Sequence, residues 1–236
     1  MRGLLIRIGA DQSEGGGHWN GPVDAETGEF TYVPIPETKS LHPELAKPYD
    51  LVQPALRRMG VELPSHLVGL NMHLDPDFEH LTYGDQGERA NQIRGKLGRG
   101  DFIVFYAGLR DTRPAPQLVY AIVGFFMIES VVPACTVPRR GWKENAHTRR
   151  VLPDGATDIV VRARAGVSGR LSRCLPIGTY RDRAYRVRPD LLRAWGGLSV
   201  REGYLQRSAR LPEFLDADRF HSWFTDQRVP LITANN

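Results

Sequence analysis

Two apolar runs dominate the chain, DFIVFYAGL at residues 101–109 and LVYAIVGFFMIESVV at residues 118–132. Both are rich in β-branched and aromatic residues, and Gly100 and the polar RDTRPAPQ loop bound them, so they read as a pair of buried strands. The opening LLIRI reads as a further buried strand that breaks into the glycine-rich GADQSEGGGHWNG, while FTYVPI, DIVVRA and LSRCLPI predict shorter strands. Helical spacing is sparser. In DLVQPALRRMG, Leu51, Val52, Ala55, Leu56 and Met59 share a face, with Asp50 as cap and Gly60 as stop. QGERANQIRGKLG turns Ala90, Ile93 and Leu97 inward. Pro189 opens RPDLLRAWGG and Gly196–Gly197 close it. Asp216 or Asp218 is placed to cap a last helix carrying Phe220, Trp223 and Phe224. Strands outnumber helices and do not alternate with them regularly, which predicts an α+β barrel or half-barrel over a doubly wound sheet.

Composition narrows the class without changing this picture. A chain of 236 residues with 41% hydrophobic and 25% charged content has the make-up of a soluble globular protein with a sizeable core. Arg7 interrupts the first apolar stretch and Glu129 the longest one, so neither a secretory leader nor a membrane span is expected. Cys135 and Cys174 have no CxxC partner, which argues against a disulfide framework or a thiolate zinc site. The expectation is a cytoplasmic protein with no membrane partner.

Charge does change it. Residues 139–210 hold 17 basic and 6 acidic side chains, although the whole chain is only +4. All but Lys143 of these basic residues are arginines, whose planar fork fits phosphate oxygens in pairs and stacks on bases. An acidic remainder followed by this segment points to a polyanion, a nucleic acid or a nucleotide. The bland alternative is an arginine-rich genome and a solvated face formed by Arg181, Arg183, Arg186 and Arg188.

The densest chemistry lies in HLDPDFEHLTYGD. If HLDPD is extended, His73, Asp75 and Asp77 point to one side, where they can hold a hard divalent metal or set a general base beside a carboxylate. The competing reading is an Asp-Pro-Asp turn whose carboxylates accept backbone N–H bonds. Phe105 and Tyr106 alternate in their strand, so one of them faces out and can stack on a base; Tyr106 is the candidate. The small residues of VSGR and the Gly-Gly after Trp195 allow close backbone approach to a ligand. Arg170, Arg207 and Ser208 lie beside such turns, and Gln206 offers both a donor and an acceptor to a base edge. No GxxxxGK[ST], GxSxG or HExxH is present, and the GGG after LLIRI is not followed by a helical pattern.

The spaced set GADQSEGG, HLDPD, GDFIVFYAGLR, SGRLSRCLPIG and RPDLLRAWGGLSVREGYLQRSARLP resembles the third nucleotide-modification-associated domain family. This resemblance covers nearly the whole chain. It implies a DNA base-modification or defence context, with proteins of such operons as partners. RANQIRGKLGRGDFIVFY and YAIVGFFMIESVV are similar to the core of the PUA/EVE/YTH-like domains, which implies a small β-barrel holding a base in an aromatic-edged pocket. The expected fold is therefore α+β and a single domain over 1–236. A PUA-like twisted β-barrel occupies about 1–135, elaborated by short helices, with an arginine-rich elaboration over about 136–236. Binding or processing of a nucleotide or modified nucleic acid is expected. His73, Asp75 and Asp77 would act, and Asp11, Tyr106, Arg110, Ser168, Gly169, Arg170, Trp195, Gln206, Arg207 and Ser208 would make nucleotide contacts, with Trp19 as an alternative stacking ring. The rivals are a metal-dependent hydrolase or nuclease built on HLDPD, with a divalent metal as its cofactor, and a non-catalytic interaction protein.

Overall fold

The computed structural model of the chain describes residues 1–11, 19–114, 117–205 and 209–236. Its strands are β1 (Gly3–Arg7), β2 (Pro22–Val23), β3 (Ile35–Pro36), β4 (Met72–His73), β5 (Thr82–Asp85), β6 (Phe102–Asp111), β7 (Leu118–Pro133), β8 (Ile159–Ala163), β9 (Gly169–Pro176), β10 (Gly178–Arg181), β11 (Ala184–Val187) and β12 (Leu231–Ile232). The α-helices are α1 (Gln53–Arg58), α2 (Gly87–Lys96), α3 (Ala146–Arg149), α4 (Pro189–Ala194) and α5 (Ala217–Asp226). The fold is mixed α+β. No described helix is long and apolar enough to cross a membrane.

The two apolar runs form the centre of the main sheet, as their composition predicts. β6 and β7 pair antiparallel, β1 and β2 run parallel along the other side of β6, and the path continues β7-β8-β5. β7 changes partner along its length: Ala121–Phe125 pair with β9, and Ile128–Pro133 pair with β8. Strands from beyond residue 136 thus enter the same sheet as β1 and β6. The path stays open, and no closed barrel forms among the described residues, in contrast to the barrel expected from the middle of the sequence.

β6 is buried on both faces. Ile103, Phe105, Ala107 and Leu109 join a cluster with Leu4, Ile6, Phe78 and Phe126, whereas Phe102, Val104 and Tyr106 join another with Trp195, Phe214, Phe220 and Phe224. Each large side chain so buried contributes about 1.5–3 kcal/mol relative to exposure. The C-terminal aromatics of α5 and its approach form the second layer, and this corrects the expectation for Tyr106, which is 1% exposed and has no free ring face. Asp216 caps α5 by accepting the Arg219 amide at 3.0 Å. Asp50 does not cap α1, because a 3-10 turn over Tyr49–Val52 precedes that helix; its carboxylate accepts from the Gln53 amide instead.

Candidate metal centre

Four segments distant in sequence bring the site together. β3 and β4 pair with Ile35 opposite His73 and Pro36 opposite Met72, which places Glu37 opposite Asn71 and, by strand alternation, on the same face as His73. Asp75 follows two residues later. β5 pairs with β8 along the sheet edge, and α3 packs against both, delivering His147 and Arg150 from one side while Asp158 precedes β8.

Asn145 organises the meeting point. Its side-chain oxygen caps α3 by accepting the His147 amide at 2.9 Å, and its amide nitrogen donates to Asp75 Oδ1 at 2.8 Å. The Gly84 amide donates to the same oxygen at 2.7 Å. Gly84 is required here: a Cβ would lie 2.3 Å from the His147 ring and 2.5 Å from Asn145 Oδ1. Asp75 Oδ1 is therefore saturated, and Oδ2 is left facing the two imidazoles.

Each histidine is held from behind by a carboxylate. His73 Nδ1 lies 2.6 Å from Glu37 Oε2, and His147 Nδ1 lies 2.6 Å from Asp158 Oδ1. With Nδ1–H donating to the carboxylate, Nε2 of a neutral ring carries a lone pair. Both Nε2 atoms point at Asp75 Oδ2, from 4.0 Å and 3.8 Å, too far for a hydrogen bond. Arg150 ties the outer carboxylates together, with NH2 3.0 Å from Glu37 Oε1 and NH1 3.5 Å from Asp158 Oδ1.

The electrostatics follow from burial. Burial opposes ionisation of Glu37, but His73 and Arg150 outweigh it and hold the carboxyl at about 2. Burial lowers His73 below the ordinary imidazole range, with Arg150 adding to the effect, so this ring is neutral. Burial pushes the Asp75 carboxyl up to about 6, against the pull of His147, Asn145 and the Gly84 amide. When ionised, Asp75, Glu37 and Asp158 bring three negative charges against the single charge of Arg150. A divalent cation balances the rest.

His73, Asp75 and His147 offer three ligand atoms within 4.8 Å of one another. Metal–nitrogen and metal–oxygen bonds are about 2.0–2.2 Å, so a bound ion draws the three inward by some tenths of an ångström. Two imidazoles and one carboxylate suit zinc or iron better than magnesium or calcium. The carboxylates on Nδ1 are the outer partners that fix tautomer and orientation in metal-bound histidines. The ligand atoms face a cleft of about 290 Å³ lined also by Arg7, Lys39, Tyr83, Gln86 and Arg89. Arg89 is spent on Asp85 and the Tyr83 hydroxyl, whereas Lys39 stands exposed at the rim.

Asp77 does not share this face. The chain turns after Asp75, and Asp77 and Thr82 close a loop through mutual backbone hydrogen bonds of 2.8 and 3.1 Å. Its carboxylate accepts from buried Arg149 and from the Glu79, His80 and Asn235 nitrogens, and the ligand types near it are Glu79 and His80, not His73 and His147. It is a structural pair, as the turn reading of HLDPD anticipates for this one aspartate.

The other sequence candidates lie elsewhere. Asp11 is buried and ion-paired at 3.0 Å with Arg7, which links it to the cleft wall. Arg110 is exposed at the end of β6, beside a separate cavity of about 550 Å³ that Trp19 also lines. That cavity is larger but converges no set of lone pairs. Ser168 Oγ accepts the Met127 amide, and Gly169 packs on the backbone of Ile232. Arg170 is buried, donating to the Ala234 carbonyl with its guanidinium 5.0 Å from the Phe30 ring centre. Trp195 is wholly buried among Phe214, Phe220 and Trp223. Gln206, Arg207 and Ser208, like the glycine-rich loop at 12–18, lie outside the described residues. Sequence reasoning missed His147, Glu37, Asp158 and Arg150. One local signal existed: Asn145 with Thr148 three residues on forms a capping box, which marks His147 as held on a helix start.

The fold and site together define a mixed α+β protein with a buried two-histidine, one-carboxylate cluster at the edge of its sheet. The sequence profile of nucleotide modification associated domain 3 matches residues 2–221, and the chain belongs to this family. No curated protein and no solved structure matches it.

Proposed function

We propose that this protein is a divalent-metal-dependent enzyme acting on a nucleotide or nucleic acid, with His73 Nε2, His147 Nε2 and Asp75 Oδ2 as the metal ligands. The observation that supports it is the convergence of three lone-pair atoms with no donor between them, each backed by its own hydrogen-bond partner. Held by these three side chains, a divalent ion would supply Lewis-acid chemistry to a group bound in the cleft. The substrate class rests on family membership and on the exposed Lys39 at the rim of the cleft. An aromatic-edged base pocket of the PUA type would require rings other than Tyr106 and Trp195, since both are buried.

Metal stoichiometry tests the reading. Purified protein is stripped with chelator and titrated with Zn²⁺ and, anaerobically, with Fe²⁺. One equivalent per chain is expected, with affinity reduced by about 100-fold or more in His73→Ala and His147→Ala. Failure to bind either ion at micromolar concentration, or full binding by both variants, would overturn it.

A further inference from the structure

A row of tyrosines and arginines leaves the metal cleft and ends on an exposed hairpin. Arg7 lines the cleft, donates to the Tyr120 hydroxyl at 3.1 Å and has its guanidinium 5.1 Å from that ring's centre. Tyr120 packs on Tyr185 with ring centres 4.4 Å apart, and Tyr185 meets Tyr180 at 5.2 Å. Tyr180 and Tyr185 are direct cross-strand partners on the β10–β11 hairpin. Tyr180 is 63% exposed, and neighbouring Tyr204, under Arg186, is 37% exposed.

The hairpin presents charge along with these rings. Asp182 and Arg183 both have positive φ, 51° and 62°, which is the backbone of a tight primed turn, and the exposed Arg183 stands at its tip. Residues 173–205 hold seven arginines against three acids. Arg181 and Arg186 donate to the backbone carbonyls of Glu202 and Arg201 and pair with Asp182 at 3.7 Å and Glu202 at 3.2 Å, so the charge this hairpin offers to a ligand is chiefly that of Arg183. Exposed aromatic faces interleaved with guanidiniums are the two components of a single-strand platform: bases stack on the rings and phosphates meet the cations. A duplex hides its base faces and gains only the charge. The contacts Arg7–Tyr120–Tyr185–Tyr180, whose first two members are buried, link the cleft wall to this exposed face in steps of 4.4–5.2 Å.

We infer that this face is a track for a single-stranded polynucleotide, holding the nucleotides that flank the one at the metal. The inference rests on the nucleotide reading proposed above and specifies the substrate as a strand rather than a free nucleotide. The test is fluorescence anisotropy with the full-length protein and labelled oligothymidylate or oligouridylate of about fifteen nucleotides, against a duplex of equal length and a mononucleotide. The strand is expected to bind at least about 10-fold tighter than either competitor. Tyr180→Ala should weaken it by about 5- to 10-fold, with Tyr180→Phe restoring it. Arg183→Ala should reduce the log–log salt slope by about 0.7, the single-strand value per phosphate contact. Oligodeoxyuridylate, which differs from oligouridylate only at the 2′ position, identifies the sugar. Unchanged affinity in Tyr180→Ala, equal binding of duplex, or equal displacement by polyglutamate would overturn the track. Metal stoichiometry measured on the same samples separates the two readings: bound metal without strand preference sinks the track alone, and strand binding without metal sinks the enzyme alone.

Discussion

Asp75 and Asp77 stand two residues apart, both buried, and they have opposite chemistry. At Asp77 the His80 side chain, 3.2 Å away, and the Arg149 guanidinium outweigh burial and hold the carboxyl at about 2. Asp75 receives two neutral donors on one oxygen only, and burial pushes it up to about 6. Burial itself is common to both. What differs is whether a guanidinium stands opposite, so one carboxylate is tied and the other is left for the ion proposed above.

The largest expected effect comes from breaking the tie. Asp77→Ala leaves Arg149 buried and unpaired, which should cost about 3–5 kcal/mol in chemical denaturation. A loss under about 1 kcal/mol would show that Arg149 finds another partner. Asp75→Asn should act in the opposite direction on the metal-free protein. Its folded carboxyl is raised above the unfolded value of 3.8, so the aspartate favours the fold below that pH and loses this contribution as pH rises through about 6. At pH 8 the neutral amide should therefore stabilise the apoprotein by about 2–3 kcal/mol while abolishing tight metal binding. A destabilised apoprotein would erase the contrast between the two aspartates.

Acid titration sharpens it next. The Asp77 carboxyl is depressed, so its contribution is present above 3.8 and lost as pH falls through about 2. This amounts to about 2 kcal/mol. Thermal melts of Asp77→Asn between pH 5 and 2 should show a shallower fall in Tm than the wild type. The smallest effect is expected behind the metal ligands. Glu37→Gln keeps an acceptor for His73 Nδ1–H but removes the charge, and it should lower metal affinity by about 10- to 100-fold. Competitive chelator titration measures this, and unchanged affinity would mean that Glu37 only fills space.

The strand pair, α2, the start of α4 and the cap of α5 were legible in the sequence because each depends on local pattern: β-branched runs, 3.6-residue spacing, a proline, an aspartate. HLDPD was legible as a site for the same reason, through a local density of ligand types. Tyr106 was misread because alternation reports which residues share a face and not what covers the other one. The aromatics that cover it come from Trp195 and the segment from Phe214 to Phe224, far along the chain.

The sequence by itself determined the central strand pair, most of the helices, the family and two of the three proposed ligands, His73 and Asp75, since these rest on neighbours within a few residues. Only the tertiary structure brings His147 beside them as the third proposed ligand and ties Asp77 to Arg149 instead. It also decided that the β10–β11 hairpin, whose arginines the sequence read either as anion-binding or as a solvated face, presents Tyr180 to solvent beside them. The physical reason is that ligation, ion pairing and burial depend on distances of a few ångströms between groups that the chain separates by dozens of residues. The sheet edge formed by β5 and β8, with α3 laid across it, sets those distances.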